Sequence, residues 1–284
     1  MTAIQAVILG IVQGLTEFMP ISSSAHLVII PWVFGWDDPG LAFDVALHLG
    51  TLVALLWFFA ADWARLVRAG IASIVERRIG DNSDRRLAWL LVIGSIPGGI
   101  AGALAESKIE ELFHQPSSPH APQAMIVMAI VIALLGAALL IAERVARHLR
   151  ELDQVSLKDA IMIGFAQALA IFPGVSRSGS TITAGLALGF QREAAARFSF
   201  LLAAPIMVGA GLKSVLDVYS ELKMGAMVQS ELLPFAVGFV AAVISGYLCI
   251  KFLLQFLQRN STDIFVYYRW LLAALLIILA LGRG

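Results

Sequence analysis

Residues 10–26 read GIVQGLTEFMPISSSAH, and residues 164–180 read GFAQALAIFPGVSRSGS. The two stretches share a glycine, a glutamine, a leucine, a phenylalanine and two serines, all at an offset of 154 residues. A proline follows the phenylalanine in each, although at unequal spacing. A fixed offset between two polar interruptions of apolar sequence predicts a duplicated unit, with one functional site assembled from its two halves.

The composition indicates a membrane protein. The chain has 284 residues, of which 59% are hydrophobic and 14% charged, and its mean hydropathy is +0.85. These values exclude a soluble globular domain of this length. The formal net charge is zero, which argues against a nucleic-acid partner.

Six apolar runs predict transmembrane helices. They cover residues 41–61, 87–105, 123–141, 198–216, 234–254 and 270–281. Two further apolar stretches, about 3–33 and 160–190, are interrupted by proline, glycine and clustered hydroxyl groups, which favours re-entrant helical hairpins. We therefore predict an all-α integral membrane protein with an inverted-topology repeat. Its single membrane domain consists of repeats 1–145 and 146–284, each with one hairpin and three spans.

The distribution of basic residues predicts the orientation, because cytoplasmic loops hold the excess of Lys and Arg. Of the 20 Lys and Arg residues, 15 fall on one side of the six spans and 4 on the other, with Arg177 in neither group. Arg269 is counted among the 15, just before the last span. This count places both termini, and the entrance of the first hairpin, on the outer face.

Glu17 is the first candidate functional residue. An ionisable side chain in apolar sequence is expensive unless it faces a polar cavity, a cation or a partner. Gln13 precedes it by four residues, so both side chains share one helix face.

The serines and the histidine after Pro20 are the next candidates. If a second short helix starts here, Ser23 and His26 are i, i+3 neighbours, and a nucleophile and a base can meet. In the alternative, structural interpretation, Ser22 only caps the helix and His26 only satisfies a buried carbonyl group. Glutamate, three serines and histidine within ten residues are more polarity than capping requires.

The second segment predicts an anion-binding site. Arg177 offers a planar set of donors that matches phosphate oxygens two at a time. Gly174 and Gly179 allow backbone N–H groups to approach an anion, and a helix N-terminus adds further donors. The candidate phosphate-binding residues are Ser22, Ser24, Gly174, Ser176, Arg177, Ser178, Gly179 and Thr181. The structural alternative is a helix break in which Arg177 pairs with Glu17.

The segments 14–26 and 173–179, together with the run Phe43–Thr51, resemble the signature motifs of the bacterial undecaprenyl-diphosphate phosphatases, the bacitracin-resistance family. The resemblance covers nearly the whole chain. It implies a phosphatase of the bacterial cytoplasmic membrane that removes one phosphate from undecaprenyl diphosphate, which recycles the lipid carrier for cell-wall synthesis and confers bacitracin resistance. The substrate is then a polyprenyl diphosphate lipid within the bilayer, and a homodimer is one option for the assembly.

The resemblance also implies roles for particular residues. Glu17, Ser23, His26 and Arg177 are the catalytic residues by this analogy, assisted by a divalent cation, Mg²⁺ or Ca²⁺. Glu17 and Gln13 are the candidate metal ligands. Many family members carry a second glutamate where this chain has Gln13, and a neutral amide supplies less charge to a metal.

Several alternatives stay open at this stage. The attacking group is Ser23, His26 or water, and the sequence does not choose among them. A polyprenyl-phosphate transporter or flippase would also have inverted repeats with broken helices, but it would not need Ser23 and His26 together. The unrelated acid-phosphatase class of lipid phosphatases requires a further histidine after the arginine motif, and none follows His148.

Overall fold

The computed structural model describes residues 1–113, 122–172, 174–223 and 232–283, and this part of the chain is helical and contains no β-strand. Its α-helices are α1 (Ala3–Phe18), α2 (Ser23–Phe34), α3 (Leu41–Phe58), α4 (Ala60–Val75), α5 (Ser83–Phe113), α6 (Pro122–Val145), α7 (Leu157–Ala168), α8 (Arg177–Ala187), α9 (Arg192–Lys223), α10 (Leu232–Leu257) and α11 (Asp263–Arg283). The predicted all-α membrane class is confirmed.

The long apolar helices agree with the predicted spans. Within the described ranges, α5, α6, α9, α10 and α11 are each long and apolar enough to cross a bilayer. The helices α3 and α4 meet this requirement only as a pair, and they are bent by 76° relative to each other. The total is six when the bent pair counts as one span. The sequence analysis did not predict α4, whose exposed Arg65 and Arg68 lie beyond the bend.

Each predicted hairpin consists of two short helices that contact each other, α1 with α2 and α7 with α8. Pro20 lies in the first break, and a short 3-10 turn, Leu169–Ile171, follows α7 in the second. Ser22 and Ser176 precede α2 and α8, and their φ angles are 74° and 65°. Residues with a side chain seldom adopt positive φ. Because the two serines are 154 residues apart, the unusual backbone recurs with the sequence.

The first helix of each hairpin packs against the other half of the chain. Helix α1 contacts α10, and α7 contacts α5. Gly10 of α1 lies against the carbonyl oxygen of Gly238, and its counterpart Gly164 of α7 lies against the carbonyl oxygen of Gly94. Small residues let helices approach closely within a membrane, where dispersion forces replace the hydrophobic effect. This exchange of partners supports the duplication, while the boundary between repeats 1–145 and 146–284 stays a prediction.

The start of α11 corrects one sequence prediction. The last span was expected at residues 270–281, which left Arg269 in a cytoplasmic loop. The helix begins at Asp263 instead, and the Arg269 side chain lies in the protein interior, 1% exposed. Arg269 is therefore not part of the cytoplasmic charge excess. The remaining count, 14 against 4, still has the same sign.

We expect Gly10→Ala and Gly164→Ala to destabilise the protein in detergent by a similar amount, about 1–3 kcal/mol. The added methyl groups would overlap backbone atoms of α10 and α5, which cannot rotate away. The melting temperature measures the effect. Gly99→Ala on α5 is the matched control, because no atom lies within 4 Å of its added methyl group. Equal melting temperatures for all three variants would contradict the packing argument.

Candidate active site

The two hairpins meet at their breaks. The Arg177 guanidinium, at the start of α8, donates from NH2 to Oε1 of Glu17 near the end of α1, at 2.7 Å. Ser178 donates from its hydroxyl to the backbone carbonyl of Met19 at 3.0 Å. Two segments about 160 residues apart therefore form one polar cluster, as the duplicated motif predicted.

Glu17 is the centre of this cluster. Its second carboxylate oxygen, Oε2, accepts from the Ser23 hydroxyl at 2.6 Å and from Nε2 of Gln13 at 3.0 Å. The imidazole Nε2 of His48 lies 3.8 Å from the same oxygen. The carboxylate is buried, and burial of an ion is tolerated only with a counter-charge and hydrogen bonds of this kind.

His26 makes different contacts from those expected. Ser23 and His26 both lie on α2, but the described contacts contain no hydrogen bond between them. Nδ1 of His26 lies 2.6 Å from the carbonyl oxygen of Ser22, and Nε2 lies 2.6 Å from the Tyr268 hydroxyl. A carbonyl oxygen only accepts, so Nδ1 carries a proton, and in the neutral ring Nε2 then accepts from the Tyr268 hydroxyl. The contact between Ser23 and His26 that the spacing allows is not formed in this conformation, and His26 instead bonds to a buried carbonyl group, as in the structural interpretation.

Tyr268 is a site residue that the sequence analysis missed. It lies on α11, and its ring stacks on that of His26 at a centroid distance of 5.7 Å. A tyrosine near the end of an apolar run is common at membrane interfaces. Nothing in the local sequence distinguishes Tyr268 from the neighbouring Tyr267.

The predicted phosphate-binding residues fall into two groups. Ser176 caps α8 by accepting from the Gly179 N–H at 3.1 Å, and its Oγ lies 3.3 Å from that of Ser178. Ser22 and Ser24 are 3.4 Å apart at the start of α2. These residues border the junction of the two breaks.

Two of the predicted phosphate-binding residues contact helices outside the two hairpins. The Thr181 hydroxyl bonds within α8 and lies 2.6 Å from the Ser199 hydroxyl of α9. Gly174, with a φ of 91°, lies against Met128 and Val131 of α6. For both residues the observed contacts are structural, and a role in phosphate binding stays a prediction.

Two buried atoms of the cluster have no hydrogen-bond partner among the described residues: NH1 of Arg177 and Oε1 of Gln13. The first is a cationic donor that suits a phosphate oxygen. The second is an acceptor of the type that Mg²⁺ and Ca²⁺ prefer. Because Gln13 donates from Nε2 to Glu17, the amide orientation is determined, and Oε1 is the atom left for another ligand.

The donor set for a cation is small. The described part of the chain contains no group of three or more His, Cys, Asp or Glu side chains arranged to hold a metal. A cation held by Gln13 and Glu17 would have to take its remaining ligands from substrate phosphates and water, as Mg²⁺ commonly does, and this site stays a prediction.

Comparison with known proteins extends over both halves of the chain. The family model described as bacitracin resistance protein BacA matches residues 6–275. A protein of Thermomicrobium roseum named undecaprenyl-diphosphatase is 48% identical over 274 residues, 96% of each chain. Proteins of the same name from Moorella thermoacetica and Caldicellulosiruptor bescii are 48% and 43% identical and cover 98% and 100% of this chain, and 97% and 100% of their own.

We expect Glu17→Ala to lower the free energy of unfolding by about 3–5 kcal/mol, because it leaves the buried Arg177 without its counter-charge. The double variant Glu17→Leu/Arg177→Met should be more stable than Glu17→Ala, because it removes both charges. The single cysteine, Cys249, is 1% exposed, so a thiol-reactive fluorophore reports unfolding directly.

Arg144→Ala serves as the control for this pair. It breaks the ion pair between Arg144 and Asp263, in which the arginine side chain is 57% exposed, and exposed pairs contribute about 0–1 kcal/mol. If Glu17→Ala lowers the free energy of unfolding by no more than the control does, the Glu17–Arg177 pair does not stabilise the junction.

Proposed function

The chain belongs to the bacitracin resistance protein BacA family, and from this premise we propose that it hydrolyses undecaprenyl diphosphate to undecaprenyl phosphate and inorganic phosphate. The reaction would recycle the lipid carrier for cell-wall synthesis and confer bacitracin resistance. The name of the relatives favours this hydrolysis over the transporter alternative. The single structural observation that carries the proposal is the hydrogen-bonded chain Arg177–Glu17–Ser23, which joins the two hairpins.

Arg177 binds the terminal phosphate in this proposal. Its NH2 is held by Glu17, which fixes the guanidinium plane, and its NH1 is the buried donor that has no hydrogen-bond partner in the described chain. Phosphoryl transfer depends chiefly on positioning and on stabilisation of the charge on the phosphate oxygens. A rigidly held guanidinium at the start of α8 provides both.

Ser23 is the proposed nucleophile and Glu17 its base. The Ser23 oxygen forms a bond to the terminal phosphorus while its proton passes to Glu17, to which it already donates at 2.6 Å. The bond from this phosphorus to the bridging oxygen breaks, and undecaprenyl phosphate leaves with that oxygen. Water then attacks the phosphorus of the phosphoserine, and its oxygen forms the new bond while the bond to the Ser23 oxygen breaks. Inorganic phosphate leaves with the water oxygen, and the Ser23 oxygen takes back the proton held by Glu17.

His26 positions Ser23 in this scheme. Through Nδ1 it holds the carbonyl of Ser22, the strained residue that immediately precedes Ser23. Its Nε2 is occupied by Tyr268, so direct proton transfer by His26 requires the tyrosine to move first. Attack by His26 or by water is an alternative outcome of the experiment below.

We also propose that Gln13 and Glu17 contribute ligands to Mg²⁺ or Ca²⁺. When bound, the cation would neutralise part of the diphosphate charge. The residues of the chain would then orient the substrate, with the apolar tail among the spans and the headgroup at the junction of the hairpins.

The protein is a multi-pass membrane protein, and we propose that it lies in the bacterial cytoplasmic membrane with both termini and the active site accessible from the periplasm. The charge count supports this orientation. A homodimer stays a prediction.

We expect Arg177→Lys to lose roughly 100-fold in phosphate release, because a single ammonium does not reproduce the two-pronged contact of a guanidinium. Ser23→Ala should lose a similar factor or more. Phosphate released from undecaprenyl diphosphate by purified protein in detergent, with and without chelator, measures both. Arg144→Lys and Ser261→Ala are controls of the same residue types outside the junction, and they should keep full activity.

The nucleophile is identified by quenching turnover in two parallel samples, one with acid, which preserves phosphoserine, and one with alkali, which preserves phosphohistidine, followed by analysis of the peptide that contains residues 22–26. Phosphoserine at Ser23 supports the scheme, whereas phosphohistidine at His26 would assign the attack to that residue. Near-normal activity of Ser23→Ala without any phosphoprotein would assign it to water. If the wild-type protein releases no phosphate with any divalent cation, the enzymatic function itself is wrong.

The orientation predicts the labelling of one introduced cysteine. Ser24 is exposed at the start of α2, so Ser24→Cys, in a chain where Cys249 is replaced by alanine, should react with a membrane-impermeant thiol reagent in intact spheroplasts. Arg68→Cys on α4 is the opposite-side control and should react only in inverted vesicles. Labelling of the residue 24 cysteine only in inverted vesicles would reverse the assigned orientation.

A further inference from the structure

Arg269 extends from α11 into the junction of the two breaks. Its Nε donates to the carbonyl oxygen of Pro20 in the first break. Its NH2 lies against Gly179 in the first turn of α8, so close that a methyl group at residue 179 would overlap it. The guanidinium therefore contacts both halves of the candidate active site.

The two terminal nitrogens of Arg269 are buried donors without a partner in the described residues. None of the described ion pairs includes Arg269, whereas Arg177 has Glu17. A guanidinium that is 1% exposed pays a large desolvation penalty, which one bond to a neutral carbonyl does not offset. Two parallel N–H donors directed from a buried arginine are the arrangement that binds phosphate oxygens in bidentate fashion.

We propose that Arg269 is a second phosphate-binding arginine, which binds one phosphate of the lipid diphosphate while Arg177 binds the other. This inference rests on the proposed function and adds to it the basis of selectivity for a diphosphate headgroup. Both arginines border residues 176–179, where the start of α8 adds backbone N–H donors. A diphosphate can engage two guanidinium groups at once, whereas the monophosphate product engages one.

The selectivity has a consequence for turnover. Once the terminal phosphate has been transferred, the lipid monophosphate keeps the contacts of one arginine and loses those of the other. Its affinity is lower than that of the substrate, and product release follows. The same geometry predicts that inorganic pyrophosphate binds more tightly than inorganic orthophosphate.

Arg269 could alternatively act only as a structural tie to the Pro20 carbonyl. Arg269→Gln and Arg269→Lys separate these roles, because both side chains retain a donor for that carbonyl, and only lysine retains the charge. Loss of phosphate binding should raise KM for the lipid diphosphate and weaken inhibition by pyrophosphate. A purely structural tie would lower the melting temperature and leave both constants unchanged in the folded fraction.

The test uses inorganic pyrophosphate and inorganic orthophosphate as probes with the purified full chain. We expect pyrophosphate to raise the melting temperature of the wild type, measured through Cys249, and to inhibit hydrolysis competitively. In Arg269→Gln the inhibition constant for pyrophosphate should rise about tenfold or more, the loss expected for charge-assisted hydrogen bonds. The inhibition constant for orthophosphate should change much less. For pyrophosphate, Arg269→Lys should have an intermediate inhibition constant, and the surface control Arg144→Gln should have that of the wild type.

A second variant keeps the test decisive if neither Arg269 variant folds. Gly179→Ala leaves Arg269 in the chain but displaces its Nη2 group. This variant should weaken the binding of pyrophosphate more than the binding of orthophosphate. If the inhibition constant for pyrophosphate is the same in the wild type and in every folded variant, the proposed role of Arg269 is wrong, and the hydrolase function is unaffected. A pyrophosphate-induced shift that depends on Arg269, in a protein that releases no phosphate, would support the anion site and overturn the reaction instead.

Discussion

The ion pair between Glu17 and Arg177 is the interaction on which the rest of the site depends. Each charge lies in apolar sequence and would be too expensive to bury alone, so the pair forces the two hairpin breaks to meet. Ser178 reaches the carbonyl of Met19 only because this junction exists, while Gln13 and Ser23 bond to Glu17 from within its own hairpin. The ion pair that stabilises the two buried charges therefore also assembles the candidate active site.

The close helix packing makes this junction possible. Glycines on α1 and α7 allow each hairpin to lie directly on the backbone of a span from the other half. This reciprocal arrangement interlocks the two halves, because neither hairpin packs chiefly on the spans that follow it. The breaks are then brought to one place by the scaffold, and the strained serines at both breaks are stabilised by the contacts around them.

Much of this structure could be predicted from the sequence, and the omissions have physical causes. The apolar runs and the interrupted hairpins were identified because hydropathy and proline act locally. Helix α4 was missed because an amphipathic helix beyond a bend has no long apolar run. Arg269 was placed in a loop because an arginine in a membrane helix is rare, and only a contact between residues 249 positions apart shows that its side chain lies at the junction of the two breaks.

The choice between the two partners considered for His26 could not be made from the sequence, for a related reason. Spacing along a helix shows which side chains share a face, but not which of several partners each one takes. Ser23 bonds to Glu17, six residues earlier across the break, and His26 bonds to Tyr268, 242 residues later. The periodicity of a helix does not indicate contacts at either of these sequence separations. The duplicated motif, in contrast, correctly predicted that residues 17 and 177 belong to one cluster.

The differences between the repeats explain why the chain has one site rather than two. At the offset of 154 residues, Glu17 corresponds to Ile171 and Ser23 to Arg177. Gln13 donates to Glu17, but its counterpart Gln167 has no hydrogen-bond partner for either amide atom in the described chain. Among the described contacts, the junction of the two breaks is therefore built around one carboxylate, that of Glu17. Ser23 and Arg177, which are counterparts at this offset, bond to the two different oxygens of that carboxylate, so the same carboxylate holds both the proposed nucleophile and the proposed phosphate-binding group.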